Sequence, residues 1–335
     1  LKLNRKEQQV LSLLKYIRHK FPAHASLLLT LSFLLLLSGC IDYKQLKTDL
    51  ISAVAKQEQL KSYQFKGSIE LTADASLLSG AVSPFAAALF AFLKDSKIEY
   101  NGISLLGPAQ MEATFKVTPT GGSSTDIPVL IKDNKLFFHI PALNKEDEYL
   151  VLPLANKPGA TAGNSDAIGN TGHLITSLNA QLLNGINPDW LQNSKDLVTL
   201  ADGTTSKRIT IDINKKNEQA LNDYWNQSIP GLLEVLKTNG IILTASSDAW
   251  QHALKQIQFR TPTTISFLID DQGFIHEQNW NLSFSVNGST NMNHLNWTQT
   301  LSDLNKVPAF TKEIPSKQKS LEDLFKLINP AAATK

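Results

Sequence analysis

Ile265-Ser266-Phe267-Leu268-Ile269-Asp270-Asp271-Gln272-Gly273-Phe274-Ile275-His276-Glu277-Gln278-Asn279-Trp280-Asn281-Leu282-Ser283-Phe284-Ser285-Val286 reads as two strands joined by a turn. Ile265, Phe267 and Ile269 fall on alternate positions before the turn. Phe274, Trp280, Leu282, Phe284 and Val286 hold the even positions after it. Strand side chains alternate between the two faces of a sheet, so each arm has one dry and one wet face. Asp270-Asp271-Gln272-Gly273 has the polar residues and late glycine of a hairpin turn. Sustained alternation favours an antiparallel sheet, because buried parallel strands read as unbroken apolar runs.

Outward from this hairpin the same period recurs. Tyr63, Phe65, Ile69 and Leu71 show it, as do Met111, Ala113, Phe115 and Val117. Ile127, Val129 and Ile131 lead into an Asp133-Asn134 turn, followed by Leu136, Phe138 and Ile140. Ile209, Ile211 and Ile213 form another run, and a last strand is expected over 291–301. The total is roughly ten strands. Helical spacing interrupts them. Leu46, Leu50, Ile51 and Val54 share one face of a helix expected over 42–60. Ser83-Pro84 opens an apolar helix over 85–94. Further helices are expected over 173–191, over 217–237 with Pro230 breaking or kinking it, and over 248–258. Ser320 and Asp323 resemble a capping box that opens a short helix to 328. Residues 155–172, rich in Gly, Ala, Asn and Ser, read as a surface loop. The expected class is α+β: a large curled antiparallel sheet, an unclosed barrel, with helices covering its concave face. Large twisted sheets tend to curl, and curling around apolar helices leaves a cavity between the layers.

Lys2, Arg5, Lys6, Lys15, Arg18 and Lys20 precede an apolar run over 25–37. That run is shorter than the roughly 20 residues a spanning helix needs, and the arrangement is that of a secretory signal peptide. It ends in Leu37-Ser38-Gly39-Cys40, which resembles the lipobox of bacterial lipoproteins at all four positions. The resemblance implies a diacylglyceryl thioether on Cys40, cleavage before it, and a division into a leader over 1–39 and a single domain over 40–330. The thiolate is the nucleophile such a modification needs, and Cys40 is the only cysteine of the chain. Attached acyl chains contribute about 0.8 kcal/mol per buried CH₂, so two of them make a stable anchor. Lipidation on Cys40 places the protein on the extracytoplasmic face of a cell membrane. Ile41, rather than Asp, would permit outer-membrane sorting in a host with two membranes.

One cysteine excludes an internal disulfide framework and a Cys-cluster metal site. Six of the 32 basic and one of the 30 acidic residues lie before Cys40, so the remainder carries 26 against 29, a formal −3. That balance argues against a nucleic-acid partner.

The order of features is similar to the lipoprotein-carrier and mycobacterial lipid-binding lipoprotein superfamily, the LolA/LppX-like fold. The matching pieces are an early helix after the lipobox, then 60–68, the strand-turn-strand over 132–138, the hairpin over 269–275, and Leu301-Ser302-Asp303-Leu304-Asn305. The resemblance implies an unclosed antiparallel barrel packed over helices that holds lipid or acyl chains between the two layers. It implies neither catalytic residues nor a cofactor.

The remaining constellations each have a plain structural reading. Leu77, Leu78, Val82, Phe85, Leu89, Phe90, Phe92 and Leu93 form either a lid or wall touching an acyl chain, or a core helix covered on both sides. His139, His173, His252, His276 and His294 are scattered singly and offer no metal cluster. Gly163-Asn164-Ser165-Asp166-Ala167 lacks the second glycine of a nucleophile elbow. Asp270-Asp271-Gln272-Gly273 lacks the alternating acidic positions of a calcium loop. Trp280 shares the dry strand face with Leu282 and Phe284. Candidate ligand-lining residues are therefore Phe85, Leu89, Phe92, Phe267, Trp280 and Phe284. Two functions are expected in competition. One is a non-catalytic lipoprotein that binds a lipid or other hydrophobic ligand. The other is a fully packed envelope lipoprotein acting through its surface, with an unknown protein partner.

Overall fold

The alternating segments pair into one sheet of thirteen strands in a computed structural model. It describes residues 42–74, 94–141, 144–154, 167–194, 196–238 and 247–320. In chain order the strands are β1 Ser62–Thr72, β2 Ser96–Leu106, β3 Ala109–Pro119, β4 Thr125–Lys132, β5 Lys135–Phe138, β6 Glu148–Pro153 and β7 Leu191–Asn193. They continue with β8 Val198–Thr199, β9 Thr205–Ile213, β10 Ile257–Asp270, β11 Ile275–Val286, β12 Asn293–Ser302 and β13 Lys317–Ser320. The described helices are α1 Tyr43–Lys56, α2 Ala167–Asn184, α3 Glu218–Thr238 and α4 Ser247–Lys255.

Two meanders, β1 to β6 and β9 to β12, join edge to edge where β1 pairs with β12. The sheet order is β13-β6-β5-β4-β3-β2-β1-β12-β11-β10-β9-β7, with β8 beside β9. No described pair joins the two ends, so the sheet stays unclosed. Every pair is antiparallel except β13 with β6, which makes the sheet mixed at one edge. The α+β class expected from alternation holds. The strand count exceeds the sequence reading by β2, β6 and short edge strands.

Register explains the dry face. Leu191, Ile211, Ile265, Trp280, Trp297, Ile69, Ile98 and Val117 stand opposite one another in a single row across eight strands. Paired residues in antiparallel strands point to the same face, so this row is apolar from β7 to β3. The positions between belong to the other face and include Asn279, Asn281, Asn296, Thr298, Ser68 and Glu70. Turn chemistry fixes the register. Asp133 and Asn134 both have positive φ, 52° and 57°, as a two-residue hairpin turn demands. Gly273 sits at φ 87° at the end of the β10–β11 turn, where a side chain would be strained.

The core lies where helices meet the β7–β9–β10 end of this row. Leu46, Leu50, Ala53 and Val54 of α1 and Leu183 of α2 pack with Ile209, Ile211, Ile213, Phe267 and Ile269. Each such aliphatic side chain contributes about 1.5–3 kcal/mol on full burial. Lys47 Nζ donates to the carbonyl of Asn184 at 2.6 Å, capping the C-terminal end of α2. Lys207 Nζ pairs with Asp49. Burial raises the Asp49 carboxyl, but hydrogen bonds from Lys207 and Gln45 outweigh it and hold it below its ordinary value. A second cluster joins Ile229 and Leu233 of α3 to Trp250 and Leu254 of α4.

Some boundaries differ from the sequence reading. The helix expected over 173–191 begins at Ala167 and ends at Asn184, so it takes the last part of the expected 155–172 loop. After it, Asn187 caps a short turn containing Pro188, and the chain extends into β7. α3 passes through Pro230 without ending. In the preceding turn Ser228 Oγ donates to Tyr224 O at 2.8 Å and Asn226 Nδ2 to Asn222 O at 3.0 Å. The apolar segment 85–93, with Phe85, Leu89 and Phe92, lies outside the described residues. So do Cys40, Ser165 and the helix expected after Ser320.

Between β12 and β13 the chain runs as a strap across the outer face. Asn305 Oδ1 accepts from Lys61 N at 2.7 Å. Farther along, Glu112 of β3 accepts from Thr311 N at 2.7 Å, Lys312 N at 2.6 Å and the Thr311 hydroxyl at 3.2 Å. Glu112 is buried, 7 % exposed, and these bonds replace its hydration. Glu112→Ala is expected to cost about 2–4 kcal/mol, since hydrogen bonds to a charged group contribute roughly 1.5–3 kcal/mol. Urea unfolding would read the loss, and proteolysis within 307–316 should quicken with it.

Candidate functional site

Helices α2 and α3 do not press flat on the row described above. Between them and strands β9, β10 and β11 lies a cavity of about 240 Å³. Helix α2 contributes Asn179, Leu182 and Leu183, and Ile186 follows it. Helix α3 contributes Leu221, Tyr224 and Trp225, at helical spacing that puts them on one face. The sheet supplies Ile211, Ile213, Phe259, Thr263, Ile265, Phe267, Trp280 and Leu282.

Glycines set how closely the helices approach. A Cβ on Gly185 would overlap the Tyr224 ring, and one on Gly231 would meet the Gln181 amide at 2.5 Å. Tyr224 Oη donates to Gln181 O at 2.7 Å and accepts from Gly185 N at 3.1 Å. Those contacts tie the end of α2 to α3.

The cavity wall is almost wholly apolar, and most of its polar groups are occupied. The Tyr224 hydroxyl is used as above. Trp225 Nε1 donates to Leu254 O at 3.0 Å. Thr263 Oγ1 donates to Arg260 O at 2.7 Å and accepts from Ser283 N at 3.0 Å. Two groups are exceptions: Trp280 Nε1 is buried without a partner, and the half-buried Asn179 amide borders the cavity with no hydrogen bond among the described residues. No carboxylate, imidazole, amine or thiol stands among the described lining residues. An apolar wall of this kind favours apolar ligand surface over water; even a cavity of about 150 Å³ lined by Leu, Ile and Phe takes up benzene. This wall can bury apolar ligand surface.

Beyond Trp280 the same face carries aromatic rings onto the other meander. Trp280 and Trp297 meet at 5.3 Å between centroids. Trp297 Nε1 donates to Tyr100 Oη at 2.7 Å, which donates to Thr298 O at 3.1 Å. Tyr100 then packs on Phe115 and Phe65, at 5.9 and 6.2 Å. Gly67 permits this, because a Cβ there would stand 2.5 Å from the Tyr100 hydroxyl. Burial raises the Tyr100 phenol above its ordinary value, against the Trp297 hydrogen bond, and burial likewise raises Tyr63. Both therefore stay neutral at physiological pH.

Of the candidates read from the sequence, Phe267 and Trp280 line the cavity. Phe284 is buried on β11, opposite Phe259, and does not touch the cavity. Phe85, Leu89, Phe92 and Cys40 lie outside the described residues. The helix-borne wall of Leu182, Leu221, Tyr224 and Trp225 escaped the sequence reading. Its signal was the 221, 224, 225 spacing, which equally fits an ordinary core.

The chain is similar to solved mycobacterial structures. LprF from Mycobacterium bovis matches at 8% identity over 80% of this chain and 97% of that one, with a TM-score of 0.37. The Mycobacterium tuberculosis lipoprotein LppX matches at 14% identity over 80% of this chain and 99% of that one, also with a TM-score of 0.37. No family model and no curated protein matches the sequence.

Proposed function

We propose that this protein binds a lipid or another hydrophobic ligand in the cavity between sheet and helices, as a lipoprotein tethered to the outer surface of a membrane. The observation that carries the reading is the cavity itself, about 240 Å³ bounded by Leu182, Leu221, Ile211, Ile265, Phe267 and Trp280. A fully packed interaction protein would fill that space, because interiors reach crystal-like density and voids forfeit dispersion contacts. A ligand restores them. Each CH₂ moved from water contributes about 0.8 kcal/mol, so a short acyl chain suffices for useful affinity without covalent chemistry. The cavity is a little under the usual 300–1,000 Å³ of small-molecule sites, which suits one chain rather than several.

The tether in this proposal is lipidated Cys40, freed by removal of 1–39. Helix α1 begins at Tyr43, only three residues on, and packs against the end of α2 that borders the cavity. The ligand site is thus held near the lipid surface.

Leu221→Trp would test the cavity. The larger ring is expected to occupy the void at about 1–3 kcal/mol of overpacking. Affinity for an apolar fluorescent probe such as N-phenyl-1-naphthylamine should fall at least about tenfold while the fold persists. Unchanged probe affinity in a folded Leu221→Trp protein would overturn the assignment.

A further inference from the structure

A polar pair lies on the helix-facing side of the sheet beside the cavity wall. Gln278 of β11 stands opposite Phe267 of β10 and Gln299 of β12, and Gln299 stands opposite Gly67 of β1. Gln278 is two residues from Trp280 along the same strand, so both share a face. Phe267 and Trp280 line the cavity. The amide pair therefore sits one strand spacing, about 4.8 Å, from its wall.

Gln278 Nε2 donates to Gln299 Oε1. An amide side chain offers two donors and an acceptor with two lone pairs. The mutual bond leaves a donor group on Gln299 and an acceptor on Gln278 with no further partner among the described residues. Either orientation of the two amides leaves one of each. Both residues are half-buried, and these atoms stay accessible to water or to a ligand. Beside them, Trp280 Nε1 is a second donor that lacks an acceptor. The register shifts between Leu268 and Ile269, so the next residue of β11 on this face is the apolar Ile275, opposite Ile269. No lysine or arginine stands in the Ile209–Phe267–Gln278–Gln299–Gly67–Tyr100 row.

We propose that Gln278 and Gln299 form the polar end of the ligand site and select a neutral acyl ester, with its chain in the cavity and its ester and hydroxyl oxygens at the amide pair. The proposal rests on the cavity reading above. Chemistry excludes the alternatives: a carboxylate or phosphate head would meet no cation there and would lose its hydration. A neutral ester accepts from Gln299 and Trp280, and an adjoining hydroxyl donates to Gln278.

The test is isothermal titration of the purified protein with monododecanoyl glycerol and with sodium dodecanoate, both below micelle formation, alongside N-phenyl-1-naphthylamine binding. The ester is expected to bind about tenfold or more tightly than the carboxylate, as one or two well-made hydrogen bonds allow. Gln278→Leu/Gln299→Leu should abolish that preference yet keep the naphthylamine, which also shows that the variant is folded. Equal binding of ester and carboxylate by the unaltered protein, or an ester preference that survives the double substitution, would overturn the proposal while leaving the cavity reading intact. Failure of the unaltered protein to bind any of the three probes would overturn both.

Discussion

His276→Leu is expected to destabilise the protein by about 3–5 kcal/mol, the usual cost of removing one partner from a buried ionisable pair. His276 Nε2 lies 2.9 Å from Asp270 Oδ2, and the two side chains are only 9 % and 6 % exposed. The other carboxylate oxygen accepts from Phe274 N at 2.7 Å. The second ring nitrogen, Nδ1, lies 3.2 Å from Leu301 O. The pair thus closes the β10–β11 turn and ties it to β12. Leucine would leave the Asp270 carboxyl with a single side-chain hydrogen bond, from Phe274 N, at a largely buried site. Urea unfolding gives the magnitude. Asp270→Asn combined with His276→Leu should recover part of the loss, since the orphaned charge is then gone. A loss below about 1 kcal/mol for His276→Leu would show that the pair is solvated and does not hold the turn.

Phe267→Ala should cost a similar amount, about 3–5 kcal/mol, for a different reason. Phe267 is 1 % exposed and forms part of the cavity wall. Truncation removes buried apolar surface and enlarges a void that already exists, so the surrounding core gains nothing by relaxing. The variant should, however, accept a longer or bulkier apolar ligand than the unaltered protein. Dodecane or a larger alkane is expected to raise its melting temperature more than that of the unaltered protein, because ligand that binds only the folded state stabilises it. Lost stability with no ligand rescue would mean that Phe267 serves packing alone.

The two effects separate what the sequence could and could not convey. Alternation is a local property, so the strand pair around Gly273 and the Asp133-Asn134 turn were legible from a few residues each. Leu46, Leu50 and Val54 announced the buried face of α1 in the same way. β2 was obscured because Gly102 takes a dry-face position while Ile103 and Leu105 take the wet one. β6, Glu148–Pro153, has apolar residues on both parities, so period alone could not identify it. The edge strands are too short to show a period at all.

The site was less legible, because it depends on register and helix placement rather than on pattern. Phe267 and Trp280 were visible as dry-face residues. Nothing local distinguishes them from Phe284, which packs without touching the cavity. Leu182 and Leu221 come together only because Gly185 and Gly231 let α2 and α3 approach each other. Gln278 and Gln299 look like two polar residues among many in asparagine-rich strands. Only pairing across β11 and β12 puts them side by side on the apolar face.

The central claim is that the cavity holds a hydrophobic ligand, and native mass spectrometry of the purified protein tests it most directly, with an organic extract of the same sample. The account predicts a bound mass that leaves on extraction and is recovered as an acyl lipid, and that is lost in Leu221→Trp. A single ligand-free mass, unchanged after incubation with membrane lipids, would contradict it.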